Sequence, residues 1–252
     1  LGVVMLPVWR AALRRAKEEI PREKLPLLGV AAAFSFLGMM FNIPLPGGTT
    51  GHAVGGTLIA LLFGPNAACI AVSIALLIQA VIFGDGGILA FGANCFNMAF
   101  VLPYVGYATY RFLAKRFGSS EKMSYVAAAI GSYVGMNAAA LCAAIEFGIQ
   151  PLLFVDEAGQ ALYCPYPLAV SIPAMLIPHL LVAGVVEAVF TVCVYAFVRK
   201  FAPELIFDEH TSDTTKSGYL PVFALVAVLI AATPLGLLAT GTAWGEWRSE
   251  ER

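Results

Sequence analysis

Charge is scarce in this chain: charged residues fill 12% of 252 positions, about half the share found in soluble domains. That scarcity excludes an ordinary water-soluble fold. The formal net charge is -1, so there is no excess of positive charge of the kind a nucleic-acid partner requires. The five cysteines, Cys69, Cys95, Cys142, Cys164 and Cys193, include no CxxC pair, and four of them sit inside apolar runs. They read as small core residues, not as a disulfide framework or a thiolate cage. The GxxxxGK[ST] and HExxH patterns are also missing, which leaves the chain without a recognisable nucleotide site or ordinary catalytic motif. At the start, LGVVMLPVW has no initiator Met, no basic leader and no small-residue cleavage site. It reads as a helix entered partway along, with native residues expected upstream.

Apolar residues are abundant, at 60% of positions with mean hydropathy +0.82. Runs long enough to approach a bilayer span fall near 1–14, 26–42, 66–83, 92–113, 123–147, 168–198 and 218–240, with a shorter run at 52–63. A crossing needs about 20 such residues. The fold class is therefore all-α, a polytopic transmembrane bundle of about seven to eight helices. Gly64-Pro65 should end one helix and begin the next. Pro173 and Pro178 should kink or tilt the 168–198 helix.

The rare cations are not scattered. Arg10, Arg14, Arg15, Lys17, Arg22 and Lys24 fall in an expected loop at 10–24, Arg111, Lys115, Arg116 and Lys122 in one at 111–122, and Arg199, Lys200 and Lys216 in one at 199–217. Threading the helices with 52–63 as a crossing places all three loops on one face. Basic loops belong on the cytoplasmic side. The chain start and loops 43–51, 84–91 and 148–167, which contain no Lys or Arg, then face outward. Arg248 and Arg252 form a mild exception in an external tail.

Two of these external segments depart from a lipid-like composition: Asn42-Ile-Pro-Leu-Pro-Gly-Gly-Thr-Thr-Gly-His52-Ala-Val-Gly-Gly56, and Gly84-Asp85-Gly86-Gly87 leading to Gly92-Ala-Asn94-Cys95-Phe-Asn97-Met98. Glycine-rich irregular backbone near membrane depth is tolerated only inside protein or beside a cavity. His52 reads either as a core histidine bonded to a backbone carbonyl or as a metal ligand, and one imidazole alone does not hold a metal. Asp85 reads as a turn residue or a pocket carboxylate. Asn94 and Asn97 read as helix caps, interhelical bridges or pocket groups. His179 and Glu187 lie two turns apart on one long helix, and ionisable groups inside a membrane are functional candidates. Glu146, near the outer end of its helix, carries a weaker signal, while Asp156 and Glu157 read as solvated loop charges.

GGTTGHAVGGTL followed by FGDGGILAFGANCFNMAF resembles the CbiM/NikM family, the substrate-capture membrane components of energy-coupling-factor transporters for nickel and cobalt. The similarity covers about residues 1–200, and both motifs are long and specific. TPLGLLATGTAWGEW at 233–247 is similar to a tail in which some members fuse an accessory membrane segment. The resemblance implies a non-enzymatic subunit of the prokaryotic plasma membrane. It implies Ni²⁺ or Co²⁺ as cargo, with a transmembrane coupling component, two cytoplasmic ABC-type ATPases and a small accessory subunit, or its fused equivalent at 218–252, as partners. It further implies a metal held by the terminal amine, the next backbone nitrogen and the imidazole of a Met-His start, completed by His52. Thr49, Thr50, Asp85, Asn94 and Asn97 would then steady the ligands by hydrogen bonds. A ring of nitrogen donors suits square-planar Ni²⁺ or Cu²⁺ and can be tuned for Co²⁺, whereas Mg²⁺ prefers oxygen.

The Met-His start is absent from the sequence, and completing the first span implies about 15 to 20 upstream residues. The expected organisation is a metal-capture domain over 1–200, a cytoplasmic linker over 201–217, and a further helix and external tail over 218–252. Two other readings stay open. A capture component for an organic micronutrient would line its pocket with aromatics, of which these loops offer Phe41, Phe91 and Phe96. An intramembrane enzyme using His179 and Glu187 would hold that pair in a water-filled cavity. Donor types alone do not separate Ni²⁺ from Co²⁺.

Overall fold

The computed structural model describes residues 1–21, 24–45, 49–118 and 120–207, the side chains at 44, 45, 49 and 50 excepted. The expected helix at 218–240 and the tail after it lie outside the described residues. Helix α1 spans Gly2–Glu19 and α2 spans Leu25–Met39. A short antiparallel hairpin follows, β1 (Ile43–Leu45) with β2 (Thr49–Gly51), in which Ile43 faces Gly51. Next come α3 (Gly56–Phe63) and α4 (Pro65–Ile78), the latter continuing as π-helix through Phe83. The following rod is α5 (Phe91–Asn94), a π-helical stretch over Cys95–Val101, and α6 (Leu102–Phe117). The chain returns through α7 (Glu121–Gly148) and the short α8 (Gln150–Leu153). Finally α9 (Leu168–Pro178), a π-helical turn over His179–Ala183 and α10 (Gly184–Phe201) form one long segment.

Three continuous helical segments, Pro65–Phe83, Glu121–Leu153 and Leu168–Phe201, are long and apolar enough to cross a membrane, with mean hydropathies of 2.2, 1.5 and 2.3. Large apolar side chains project from the bundle, among them Val3 at 80% and Leu181 at 71% exposure. In water such surface would be costly; against lipid tails it is the expected exterior. The fold is an all-α polytopic membrane bundle.

Directions alternate along the chain. Glu19 at the end of α1 accepts a bond from Asn66 at the start of α4 (2.9 Å), and Trp9 donates to Ser73 midway (2.9 Å), so α1 and α4 run antiparallel. Tyr125 near the start of α7 packs edge-on against Tyr195 near the end of α10, while Ser171 at the start of α9 bonds to Ala144 late in α7. With α3 counted, the described residues contain seven passes.

The basic segments themselves differ from expectation. Arg10 to Lys17 lie on α1, Arg111, Lys115 and Arg116 on α6, and Arg199 and Lys200 on α10. Helix α6 runs on to Phe117, and α7 begins at Glu121. Lys and Arg are good helix formers and complement the partial negative charge of a helix C-terminus, so helices run through residues that hydropathy alone assigns to loops.

Close packing uses glycine where helices cross. A Cβ at Gly131 would come within 2.7 Å of the Gly106 carbonyl, and one at Gly135 within 2.6 Å of the Leu102 carbonyl. Gly131 and Gly135 form a GxxxG stripe that lets α6 and α7 approach at backbone distance, the usual device for helix association in lipid.

Candidate metal centre

At eight residues, α3 is only about 12 Å long, less than half the ~30 Å hydrocarbon thickness. The remainder of that pass is made by the hairpin and the non-helical stretch 52–55, which enter the bundle as irregular backbone. Such backbone must find hydrogen-bond partners inside the protein. Glu187 supplies them from α10. Its Oε2 accepts the Val54 amide at 2.8 Å, and its Oε1 and Oε2 accept the Gly55 amide at 3.1 and 3.3 Å. Ser35 Oγ donates to the Val54 carbonyl at 2.8 Å. Negative charge at the start of α3 also complements the helix dipole.

The turn is completed by Gly55, the residue before α3, at φ +69°. Any Cβ there would press on Phe34 at 3.2 Å and Phe190 at 3.4 Å, two rings stacked 5.1 Å apart. Phe34 belongs to α2 and Phe190 to α10. Two helices, α2 and α10, therefore grip the residues just after His52.

His52 lies between β2 and this clasp, and its Nδ1 is buried with no hydrogen-bond partner. An orphaned imidazole nitrogen in a sealed position has an unused lone pair or proton. The core-histidine reading, which requires a bond from this ring to a backbone carbonyl, finds no support at Nδ1. His179 lies within electrostatic reach of His52, on the π-helical turn that packs against β2. Its own Nδ1 is 2.7 Å from the Met175 carbonyl, which makes Nδ1 the protonated nitrogen. The side chains of Thr49 and Thr50 lie outside the described residues.

The second glycine-rich segment forms its own unit. Gly84, at φ +72°, closes the π-helical end of α4, and the Asp85 amide bonds to the Gln79 carbonyl at 3.0 Å. Asn94 Nδ2 donates to the Gly86 carbonyl at 3.1 Å, tying this loop to α5. Asn94 is thus neither a cap nor an interhelical bridge. Asn97 is a bridge: its Nδ2 donates to Glu146 Oε2 on α7 at 2.9 Å. Asn97 Oδ1 and Glu146 Oε1 both remain buried and unpartnered. The first residues of the sequence meet this unit, since a Cβ on Gly92 would come within 2.5 Å of Gly2 Cα.

Two rival readings lose their footing. Glu187 is 0% exposed and spends both carboxylate oxygens on backbone amides, so no water-filled cavity holds a His179–Glu187 catalytic pair. Phe91 stacks on Trp9 and Phe96 packs against Phe100; these rings serve helix packing and do not line an aromatic pocket. Asp156 organises its own turn, its Oδ1 accepting the amides of Ala158 at 2.9 Å and Gln160 at 2.7 Å. Among the described residues no three His, Cys, Asp or Glu side chains converge on one point. A metal at His52 therefore requires donors other than clustered side chains, such as backbone or terminal nitrogens.

A helical membrane bundle with one pass half-unwound beside a histidine whose Nδ1 is buried without a partner defines a polytopic membrane protein. The chain belongs to the family described as cobalt uptake substrate-specific transmembrane region, whose model matches residues 1–205. It is 53% identical over 253 residues to a probable fused nickel transport protein of Lactiplantibacillus plantarum, covering 100% of this chain and 74% of that protein. It is also 53% identical over 204 residues to a putative metal transport protein of Methanocaldococcus jannaschii, covering 81% of this chain and 86% of the other. A crystal structure of a truncated transition metal transporter matches at TM-score 0.75 and 50% identity, over 79% of this chain and 91% of that one. These relatives are transport proteins, and the chain is not an enzyme.

Proposed function

We propose that this chain is the substrate-capture component of an ATP-driven energy-coupling-factor importer for Ni²⁺ or Co²⁺, with His52 as the metal ligand contributed by the glycine-threonine segment. The observation that carries the reading is the buried His52 Nδ1 without a partner, seated on irregular backbone that neighbouring helices hold in place. Relatives named as a fused nickel transport protein in Rhodobacter capsulatus and a cobalt transport protein in Moorella thermoacetica support the choice of metals.

In this reading the hairpin, the 84–91 loop and the chain start face the outside of a prokaryotic plasma membrane. The remaining nitrogen donors come from a Met-His start that reaches the site between the two glycine-rich segments. The contact of Gly2 with Gly92 supports that approach, because it brings the first residues to the second segment. Asp85, Asn94 and Asn97, together with Thr49 and Thr50, shape the surroundings by hydrogen bonding. A coupling membrane component and two cytoplasmic ATPases drive the reorientation that releases the ion. An accessory subunit, or its fused equivalent over 218–252, completes the assembly.

The test is reconstitution. Full-length protein in proteoliposomes with its coupling component and ATPases should accumulate radiolabelled Ni²⁺ or Co²⁺ only when ATP is supplied, and the His52→Ala form should not. ATP-independent uptake, or uptake unaffected by the substitution, would contradict the proposal.

A further inference from the structure

Helix α3 is fastened to the 184–207 segment at both of its ends. At its start, the Glu187 carboxylate accepts the Val54 and Gly55 amides. At its other end, the Phe207 amide donates to the Leu61 carbonyl at 2.9 Å. The Phe207 ring also lies over Gly64, where a Cβ would meet it at 3.0 Å. Lys24 Nζ adds a bond to the Glu204 carbonyl at 3.0 Å.

Two fastenings at opposite ends of an eight-residue helix leave it little freedom to slide or rotate against α10. The upper fastening matters most for the metal, since the clasped peptide begins only two residues after His52. A buried carboxylate with both oxygens engaged by main-chain amides has one satisfactory geometry, and leaving those amides unpaired in an apolar interior is costly.

We infer that Glu187 is the positioning residue of the metal site: by holding the Val54 and Gly55 amides it sets the depth and direction of the His52 imidazole. Glu187 touches no metal in this assignment. It acts through two peptide groups, and it makes α3 and α10 move as one body, so a displacement of the 203–207 segment is felt at His52. The inference rests on His52 being a ligand.

The test uses full-length protein in nanodiscs with Ni²⁺ alone as the probe. Glu187→Gln keeps the shape of the side chain but replaces one acceptor oxygen with a donor that opposes an amide N–H. The expected result is a weakening of Ni²⁺ binding by about 10- to 100-fold, the usual effect of losing a group that orients a ligand. A shift in the visible d–d absorption of the bound ion, which reports donor geometry, should accompany it. A purely structural role would lower the thermal midpoint while leaving the spectrum of bound Ni²⁺ unchanged.

If the Glu187→Gln protein does not fold, Ser35→Ala decides the matter, because it frees the same Val54 peptide with the carboxylate intact. A weaker affinity with a shifted d–d absorption relative to wild type supports the inference. Wild-type affinity and spectrum in the folded variants overturn it. Failure of the underlying reading looks different: there, His52→Ala itself would bind Ni²⁺ as well as wild type.

Discussion

Asn97 Nδ2 donates one hydrogen bond of 2.9 Å to Glu146 Oε2, while Asn97 Oδ1 and Glu146 Oε1 stay buried without a partner. That bond links the π-helical stretch after α5 to the C-terminal part of α7. Asn97→Ala should leave both carboxylate oxygens of Glu146 unpartnered and cost about 1–3 kcal/mol. Chemical or thermal unfolding in detergent measures it, and an unchanged midpoint would show that the pair does not stabilise the fold.

Gly55 occupies the left-handed region against the edges of two stacked rings, Phe34 and Phe190. Gly55→Ala combines backbone strain with a clash against Phe34, and should destabilise by about 1–3 kcal/mol. Because the strain falls three residues from His52, Ni²⁺ affinity should fall with it. Gly29, where a Cβ would meet nothing within 4 Å, provides the control: Gly29→Ala should leave stability unchanged or improve it slightly.

At the crossing of α3 with α6 and α7, a Cβ on Gly106 would fall on the Thr57 hydroxyl. Gly106→Ala alone should be strongly destabilising, whereas Gly106→Ala with Thr57→Ala should recover much of the loss. Residues in contact typically show coupling of about 0.5–3 kcal/mol. Simple additivity in the double-mutant cycle would mean that the two residues do not meet as described.

Orientation is testable by labelling. A single cysteine introduced at Asp156 should react with a membrane-impermeant maleimide in intact cells, and one at Lys115 should react only after the membrane is opened. The reverse pattern would invert the topology on which the external metal site depends.

Much of the bundle is legible from hydropathy because four passes are simply long apolar runs. The expected 66–83 and 123–147 agree with Pro65–Phe83 and Glu121–Gly148 to within two residues. Boundaries fail where Lys and Arg continue a helix, as in α1 and α6, since hydropathy registers the charge and not the helix propensity. The π-helical turns at 79–83, 95–101 and 179–183 leave no mark in apolar periodicity that a short window can read. Pro173 and Pro178 signalled irregularity in the last helix without locating it at His179.

The site divides in the same way. His52 stood out because a lone imidazole interrupts an apolar, glycine-rich stretch, and Asn97 was foreseen as one of its options, a bridge between helices. Glu187 stood out as an intramembrane carboxylate, yet its partners are the amides of residues more than 130 positions away. No local pattern encodes that pairing; it arises only when α3 and α10 pack side by side. Ser35 escaped notice altogether, because a single hydroxyl in an apolar helix is usually satisfied by its own preceding turn.

Direct metal binding bears most immediately on the central claim. Isothermal titration of full-length protein with Ni²⁺ and Co²⁺ should give tight, stoichiometric binding, lost on acidification as protons compete for the nitrogen donors. Replacement of His52 by Ala should abolish tight binding while the helical circular dichroism stays unchanged. A His52→Ala protein that binds either metal with wild-type affinity would contradict the assignment.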